Sequence, residues 1–126
     1  MIKFTNMKVL STFEKKVVDE TFKILEVESG FTREMITSKS RKTEVVSARY
    51  VAMYVVKKMT KLSLASIGEV FDRDHSSIIH ALDNVQVWFE SPKRYIPEMI
   101  MIQKVTTTVA GELDHDTQGM SQMAFA

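Results

Sequence analysis

The sequence predicts an all-α fold, a small helical bundle that contains a helix-turn-helix. Three observations carry that prediction. Apolar residues recur at three- and four-residue steps through most of the chain. Capping residues (Ser11, Ser63, Asp74) stand directly ahead of such runs. Only 4 Gly and 2 Pro interrupt the 126 residues, which is the length of one ordinary domain. A hydrophobic share of 44% can support a core, so wholesale disorder is not expected.

The first element is a helix over about 12–28. Ser11-Thr12-Phe13-Glu14 is a capping-box pattern, and Phe13, Val17, Val18, Phe22 and Leu25 form an apolar stripe behind it. Gly30 ends the helix. Thr32 to Ile36 suits one further short turn, and the link Thr37-Ser38-Lys39-Ser40-Arg41-Lys42 offers no apolar residue to fix it to a core. With Thr43 as candidate N-cap, Val45, Ala48, Ala52, Met53, Val56 and Met59 mark a helix to about 60. Arg49 and Lys57 fall off this stripe, roughly two turns apart.

Ser63 caps a short helix over 64–71, with Leu64, Ile67, Val70 and Phe71 inward and Gly68 permitting close backbone approach. Asp72-Arg73-Asp74 is a turn. Asp74 then caps a helix over about 75–89, its stripe Ile78, Leu82, Val85 and Phe89, with Ile79 and Trp88 beside it. Ser91-Pro92 stops that helix, and Pro97 can open another. Met99, Ile100, Ile102, Val105 and Val109 suit a helix over 98–110, although Val105-Thr106-Thr107-Thr108-Val109 is β-prone. Gly111 ends the segment on either reading, and Glu112 to Ala126 lacks periodicity. The expected organisation is a helix-turn-helix domain over 1–92, then an extension over 93–126 with a helix at about 97–110 and a flexible tail.

The formal net charge of +1 points to no polyanionic partner. Its distribution does. Residues 33–61 carry Arg33, Lys39, Arg41, Lys42, Arg49, Lys57, Lys58 and Lys61 against Glu34 and Glu44, a balance of +6, whereas residues 98–126 stand at −3. Such asymmetry suggests the footprint of a nucleic acid or another acidic surface, although a charge run alone equally suits a solvated helix face. The basic stretch directly precedes residues 63–89, which have the shape of a helix-turn-helix. Asp74, His75, Ser76 and Ser77 fill the first turn of its second helix, where no core residue is needed. Small polar groups at that place can read base edges in the major groove, while cations nearby neutralise phosphates.

Other chemistries find no footing. With no cysteine, disulfides, thiolate zinc sites and cysteine nucleophiles are excluded, which fits an intracellular protein. Met1 to Asn6 has no apolar core of a signal peptide and no run approaches 18 apolar residues, so a cytoplasmic protein without membrane contact is expected. His75 and His80 are five apart and do not stack on one helical face. Asp114-His115-Asp116 lies in the tail, and Ser76 and Ser77 are only sequence neighbours of His75. No G-x-x-x-x-G-K-S/T can be written with glycines at 30, 68, 111 and 119, so no nucleotide, metal or other cofactor and no enzymatic activity are expected.

Ala48-Arg49-Tyr50-Val51-Ala52-Met53-Tyr54, Ser63-Leu64-Ala65-Ser66-Ile67-Gly68, and Phe71-Asp72-Arg73-Asp74-His75-Ser76-Ser77-Ile78-Ile79-His80-Ala81 follow in order. Together they closely resemble the DNA-binding domain of the bacterial replication-initiator family, DnaA. The likeness covers roughly residues 10–90. It implies a Trp-repressor-like helix-turn-helix bundle that binds double-stranded DNA for replication control or transcriptional regulation. In the family an Arg of the polar link enters the minor groove, and Arg41 stands at that place. The resemblance puts Arg49, Lys57 and Thr60 at the DNA backbone, with Lys42, Lys61 and Arg73 expected to join them. It makes Asp74, His75, Ser76 and Ser77 the tetrad that reads the major groove.

The sequence also departs from the family. Where two Gly usually precede the Arg-Asp-His, this chain has Asp72 alone, which shortens the turn by one residue and adds a carboxylate close to DNA. Two Ser replace a Thr-containing pair, removing methyl groups that pack on thymine. Without an ATPase domain, a free-standing domain suits a bacteriophage or mobile-element protein. An alternative is an interaction module that keeps the fold and binds protein, or DNA non-specifically. Met99-Ile100-Met101-Ile102 in the apolar 96–109 segment can pack on its own domain or form a homodimer.

Overall fold

Ser11 opens the first helix as its sequence requires: its side chain accepts from the Glu14 N–H at 3.1 Å, and Glu14 accepts from the Ser11 N–H at 2.9 Å. The computed structural model describes residues 10–125 in backbone and 10–114 in side chain. Among these residues there are six helices and no strand: α1 (Thr12–Ser29), α2 (Arg33–Thr37), α3 (Thr43–Met59), α4 (Leu64–Phe71), α5 (His75–Glu90) and α6 (Ile96–Phe125). The fold is all-α, as the periodicity predicts. None of the helices is long and apolar enough to cross a membrane.

Helix α3 is the axis of the bundle. Val45, Ala48, Val51, Ala52, Met53, Val55 and Val56 are all buried, so it is enclosed on most sides. Helices α1, α5 and α6 pack around it, with α2 and α4 closing its flanks. Each fully buried Val, Leu or Ile contributes about 1.5–3 kcal/mol relative to exposure, so this shared core, rather than intrinsic helix propensity, holds the short elements. α1 ends at Gly30, whose φ of 80° is the left-handed conformation that glycine adopts without penalty.

Several details differ from the sequence reading. Phe13 is 51% exposed, because the inward face of α1 begins only with Val17 and Val18. Thr43 is the first helical residue of α3, and Lys42 holds the cap position without a side-chain hydrogen bond. The buried stripe of α5 is Ile78, Ala81, Val85 and Trp88. Leu82 is only half-buried and Phe89 is exposed, where it stacks on Tyr54 at 5.4 Å. The stripe is turned by the need to present Ala81 and Trp88 to the bundle.

The largest difference is α6. It runs through Gly111 to Phe125, where the sequence suggests a stop and then a tail. Gly111 does not take a positive φ, so it lacks the left-handed geometry that ends α1. A glycine inside a helix costs only about 1 kcal/mol against Ala. Burial of Ile102, Val105 and Val109 in the same cluster as Ile67 and Phe71 also overrides the β preference of the 105–109 run.

Candidate nucleic-acid interface

Gly68 sets the helix-turn-helix. A Cβ on it would lie 2.3 Å from the Arg73 carbonyl oxygen, so only glycine lets the turn fold this closely onto α4. The Arg73 N–H donates to the Gly68 carbonyl at 2.7 Å and locks the same approach. Asp72 takes the left-handed conformation, φ 55° and ψ 51°, to reverse the chain at the end of α4. Asp, with its short polar side chain, tolerates that region better than most residues other than glycine.

Asp74 then caps α5. Its Oδ1 accepts from the Ser77 N–H at 3.0 Å, the Ser76 hydroxyl at 3.0 Å and the Ser77 hydroxyl at 3.2 Å. The Ser77 backbone bond first, then the two hydroxyls, hold the Asp74 carboxyl below the ordinary carboxylate range. Asp74, His75, Ser76 and Ser77 are all exposed on this first turn. Behind them lies a cleft of about 360 Å³ lined by Arg49, Tyr50, Met53, Arg73, Ser76 and His80, among others. Three sequence-selected groups, the serines, Arg49 and Arg73, therefore converge on one concavity between α3 and the start of α5.

The cations expected at the minor groove (Arg41) and at the DNA backbone divide. Arg41 and Lys42 are exposed on and beside the link, and Lys57 and Lys61 are exposed at the far end of α3. Lys57 lies beside Leu82, Val85 and Phe89 in the C-terminal half of α5, away from the His75 turn. Arg49 does not stand on the solvent face. It is 6% exposed, and its Nε donates to the Ile36 carbonyl at 2.7 Å. Its Nη2 donates to the carbonyls of Ser38 at 2.9 Å and Ser40 at 3.0 Å. Burial first, then the Arg73 charge beside it, lowers its pKa from the usual arginine value, although a guanidinium remains charged at neutral pH.

Arg73 is half-buried and makes the matching set. Its Nη1 donates to Thr37 O at 3.0 Å and Phe71 O at 2.7 Å, and its Nη2 to Ser38 O at 2.5 Å. Thr60 is buried, its hydroxyl donating to Val56 O at 2.7 Å and accepting from the Leu62 N–H at 3.2 Å. That hydroxyl is thus committed to ending α3 rather than turned outward.

Three participants escape the sequence reading. Lys39 donates to the Asp72 carbonyl at 3.1 Å, a contact across 33 residues for which no local signal exists. Tyr50 and His80 line the cleft, with their rings 6.1 Å apart edge to face. His80 follows Ser76 and Ser77 at helical spacing, and that spacing was signal enough to place it on their face. Among the described residues no group of three His, Cys, Asp or Glu could hold a metal ion.

A family model described as the bacterial dnaA protein helix-turn-helix matches residues 17–85. The chain is 33% identical over 102 residues to the chromosomal replication initiator protein DnaA of Flavobacterium psychrophilum, covering 78% of this chain and 20% of that protein. It is 42% identical over 65 residues to the DnaA of Thermus thermophilus, covering 51% of this chain and 15% of that one. A solved structure described as a DNA replication initiation factor superposes with a TM-score of 0.59 at 26% identity, over 76% of this chain and 31% of that one. The chain thus spans about a fifth or less of the length of these two initiators. The 102-residue alignment is also longer than residues 10–90, to which the sequence motifs confine the likeness. With its turn, its capped second helix and the motifs around them inside the matched region, the chain belongs to the bacterial DnaA helix-turn-helix family.

Proposed function

We propose that this chain binds double-stranded DNA sequence-specifically, with the first turn of α5 in the major groove and Arg41 in the adjacent minor groove. The observation that carries the reading is the exposed Asp74-His75-Ser76-Ser77 turn, held as one hydrogen-bonded unit over an arginine-lined cleft. A carboxylate accepts from cytosine N4, and hydroxyls and imidazole serve either donor or acceptor edges. Lys42, Lys57 and Lys61 are the free cations for phosphates. The role is replication-initiation control or transcriptional regulation. The names of the two relatives above, both chromosomal replication initiators, support the first.

Selection from random duplexes followed by sequencing tests the proposal. One enriched motif is expected. His75→Ala should then cost about 1–3 kcal/mol at that motif and relax its sequence preference. A library that emerges unenriched would sink the idea of specific recognition.

A second reading, an interaction module or homodimer, draws on the surface at the other end of α5. Tyr54, Phe89, Ile96 and Ile100 line an apolar groove of about 430 Å³, with Ile96 54% and Ile100 47% exposed. Mass measurement in solution separates the two. A dimer that Ile100→Glu converts to monomer, with DNA affinity unchanged, would establish this surface as a contact between copies.

A further inference from the structure

Nothing apolar holds the link between α2 and α3. Lys39, Arg41 and Lys42 are exposed, and Ser38 and Ser40 are only half-buried. Yet the link carries Arg41, whose minor-groove role requires a defined place beside α5. Guanidinium groups supply the anchorage instead. Arg49, from α3, donates to the carbonyls of Ile36, Ser38 and Ser40. Arg73, from the helix-turn-helix turn, donates to Thr37 and again to Ser38. Lys39 reaches the other way and donates to the Asp72 carbonyl.

These bonds form a short physical path. The Ser40 carbonyl belongs to the peptide that joins Ser40 to Arg41, and Arg73 stands two residues before His75. The groups that would enter the two grooves are therefore tied through Ser40, Arg49, Ser38 and Arg73. Among the described residues the ion pairs are Arg33–Asp19 and Lys104–Glu28, so neither Arg49 nor Arg73 is matched to a carboxylate. Two cations brought together on neutral carbonyls repel one another, and their bonds to those carbonyls hold them in place against that repulsion. A planar fork with five donors can bridge several carbonyls in fixed directions, which an ammonium cannot do.

We infer that Arg49 and Arg73 are positioning residues, which hold Arg41 in register with the recognition helix so that the two groove contacts are made as one unit. The inference rests on the DNA-binding reading above. It moves these two arginines from the phosphate backbone to the inside of the reading head.

The conservative variants Arg73→Lys and Arg49→Lys test it in the full chain, because they keep the charge and lose the fork. Affinity is measured at one fixed salt concentration for the selected duplex and for the same duplex with its A·T flank replaced by G·C. An arginine prefers the narrow, more negative A·T minor groove, so the flank ratio reports Arg41. For the unaltered chain this ratio should be roughly tenfold, the size of one mismatched position. In Arg73→Lys it should fall towards one, while discrimination among bases of the motif itself persists. Arg41→Ala should cost little more once Arg73→Lys is present, because the contact is already lost.

An unchanged flank ratio in a folded Arg73→Lys chain overturns the inference, as does uniform weakening on every duplex, which would make Arg73 a phosphate contact. Arg49→Lys gives an independent reading if Arg73→Lys does not fold. An unaltered chain that selects a motif but shows no flank preference also overturns it, through Arg41. Failure to select any motif instead strikes the DNA-binding reading itself, so the two failures are distinguishable.

Discussion

Arg49 and Lys57 lie on the same helix, roughly two turns apart, and count equally in the +6 balance of residues 33–61. Their surroundings could hardly differ more. Arg49 is 6% exposed with its guanidinium on three carbonyls, whereas Lys57 stands in solvent at the end of α3. Both halves of α3 bury apolar residues, but the cation of its N-terminal half is bonded to the link, whereas Lys57 and Lys58 of its C-terminal half are exposed. A charge count detects a basic region. It cannot tell which cations are spent on architecture and which remain for a polyanion.

The strongest test of that division is Arg49→Ala. It strips hydrogen bonds from the carbonyls of Ile36, Ser38 and Ser40. Charge-assisted bonds of this kind contribute about 1.5–3 kcal/mol each when taken singly. Because water can reach the half-buried link, a total loss of about 2–4 kcal/mol is expected. Urea or thermal unfolding reads it directly. A loss below about 0.5 kcal/mol, the range of an ordinary surface change, would place Arg49 with Lys57 and erase the comparison.

Gly68→Ala comes next and probes the same half through the backbone. The new methyl would meet the Arg73 carbonyl oxygen at 2.3 Å, so α4 or the turn must shift. Overpacking of this sort costs about 1–3 kcal/mol. The shift also carries Arg73 away from the link. Unfolding midpoints and binding selectivity should therefore fall together, and a chain as stable as the original would show that the turn can give way cheaply.

How much of this was legible in the sequence follows from how local each cause is. Ser11, Ser63 and Asp74 act within three residues of themselves, and the helices they cap begin where those residues place them. The first turn of α5 was legible for the same reason. The burial of Arg49 is not legible, because the apolar pattern of one helix does not reveal that the link folds back over it, with carbonyls in need of donors. Arg73 carries no local sign of its bonds to Thr37 and Ser38, 36 and 35 residues earlier. The extent of α6 is not legible, since a glycine ends a helix only where the chain takes a left-handed residue, and Gly111 does not take that conformation.

Asp74 tests the boundary between architecture and reading head by pH. Its carboxyl is held below the ordinary value of about 3.9, principally by the Ser77 N–H and then by the serine hydroxyls. A group depressed in the folded state contributes stability that is fully present above its unfolded pKa. That contribution is lost as pH falls through the folded pKa. The difference in urea midpoint between the original chain and Asp74→Ala should hold from pH 7 to about 5 and narrow on further acidification. A gap independent of pH would mean that the capping bonds do not depend on the charge.

Lys57→Ala should disturb the fold least and completes the contrast. An exposed lysine at the end of α3 has no bond to lose from the core, so unfolding should change by no more than about 0.5 kcal/mol. Its effect belongs to binding. A cation that neutralises one phosphate releases one condensed counterion, and its loss lowers the slope of log affinity against log salt by about 0.9. Every duplex should weaken alike, with the flank ratio and motif preference preserved, because a phosphate carries no sequence. Arg49→Lys is expected to do the reverse, leaving the charge in place and lowering the flank ratio. If Lys57→Ala altered selectivity instead, the far end of α3 would be part of the reading head. The line between the two halves of the helix would then have to be drawn nearer its C-terminus.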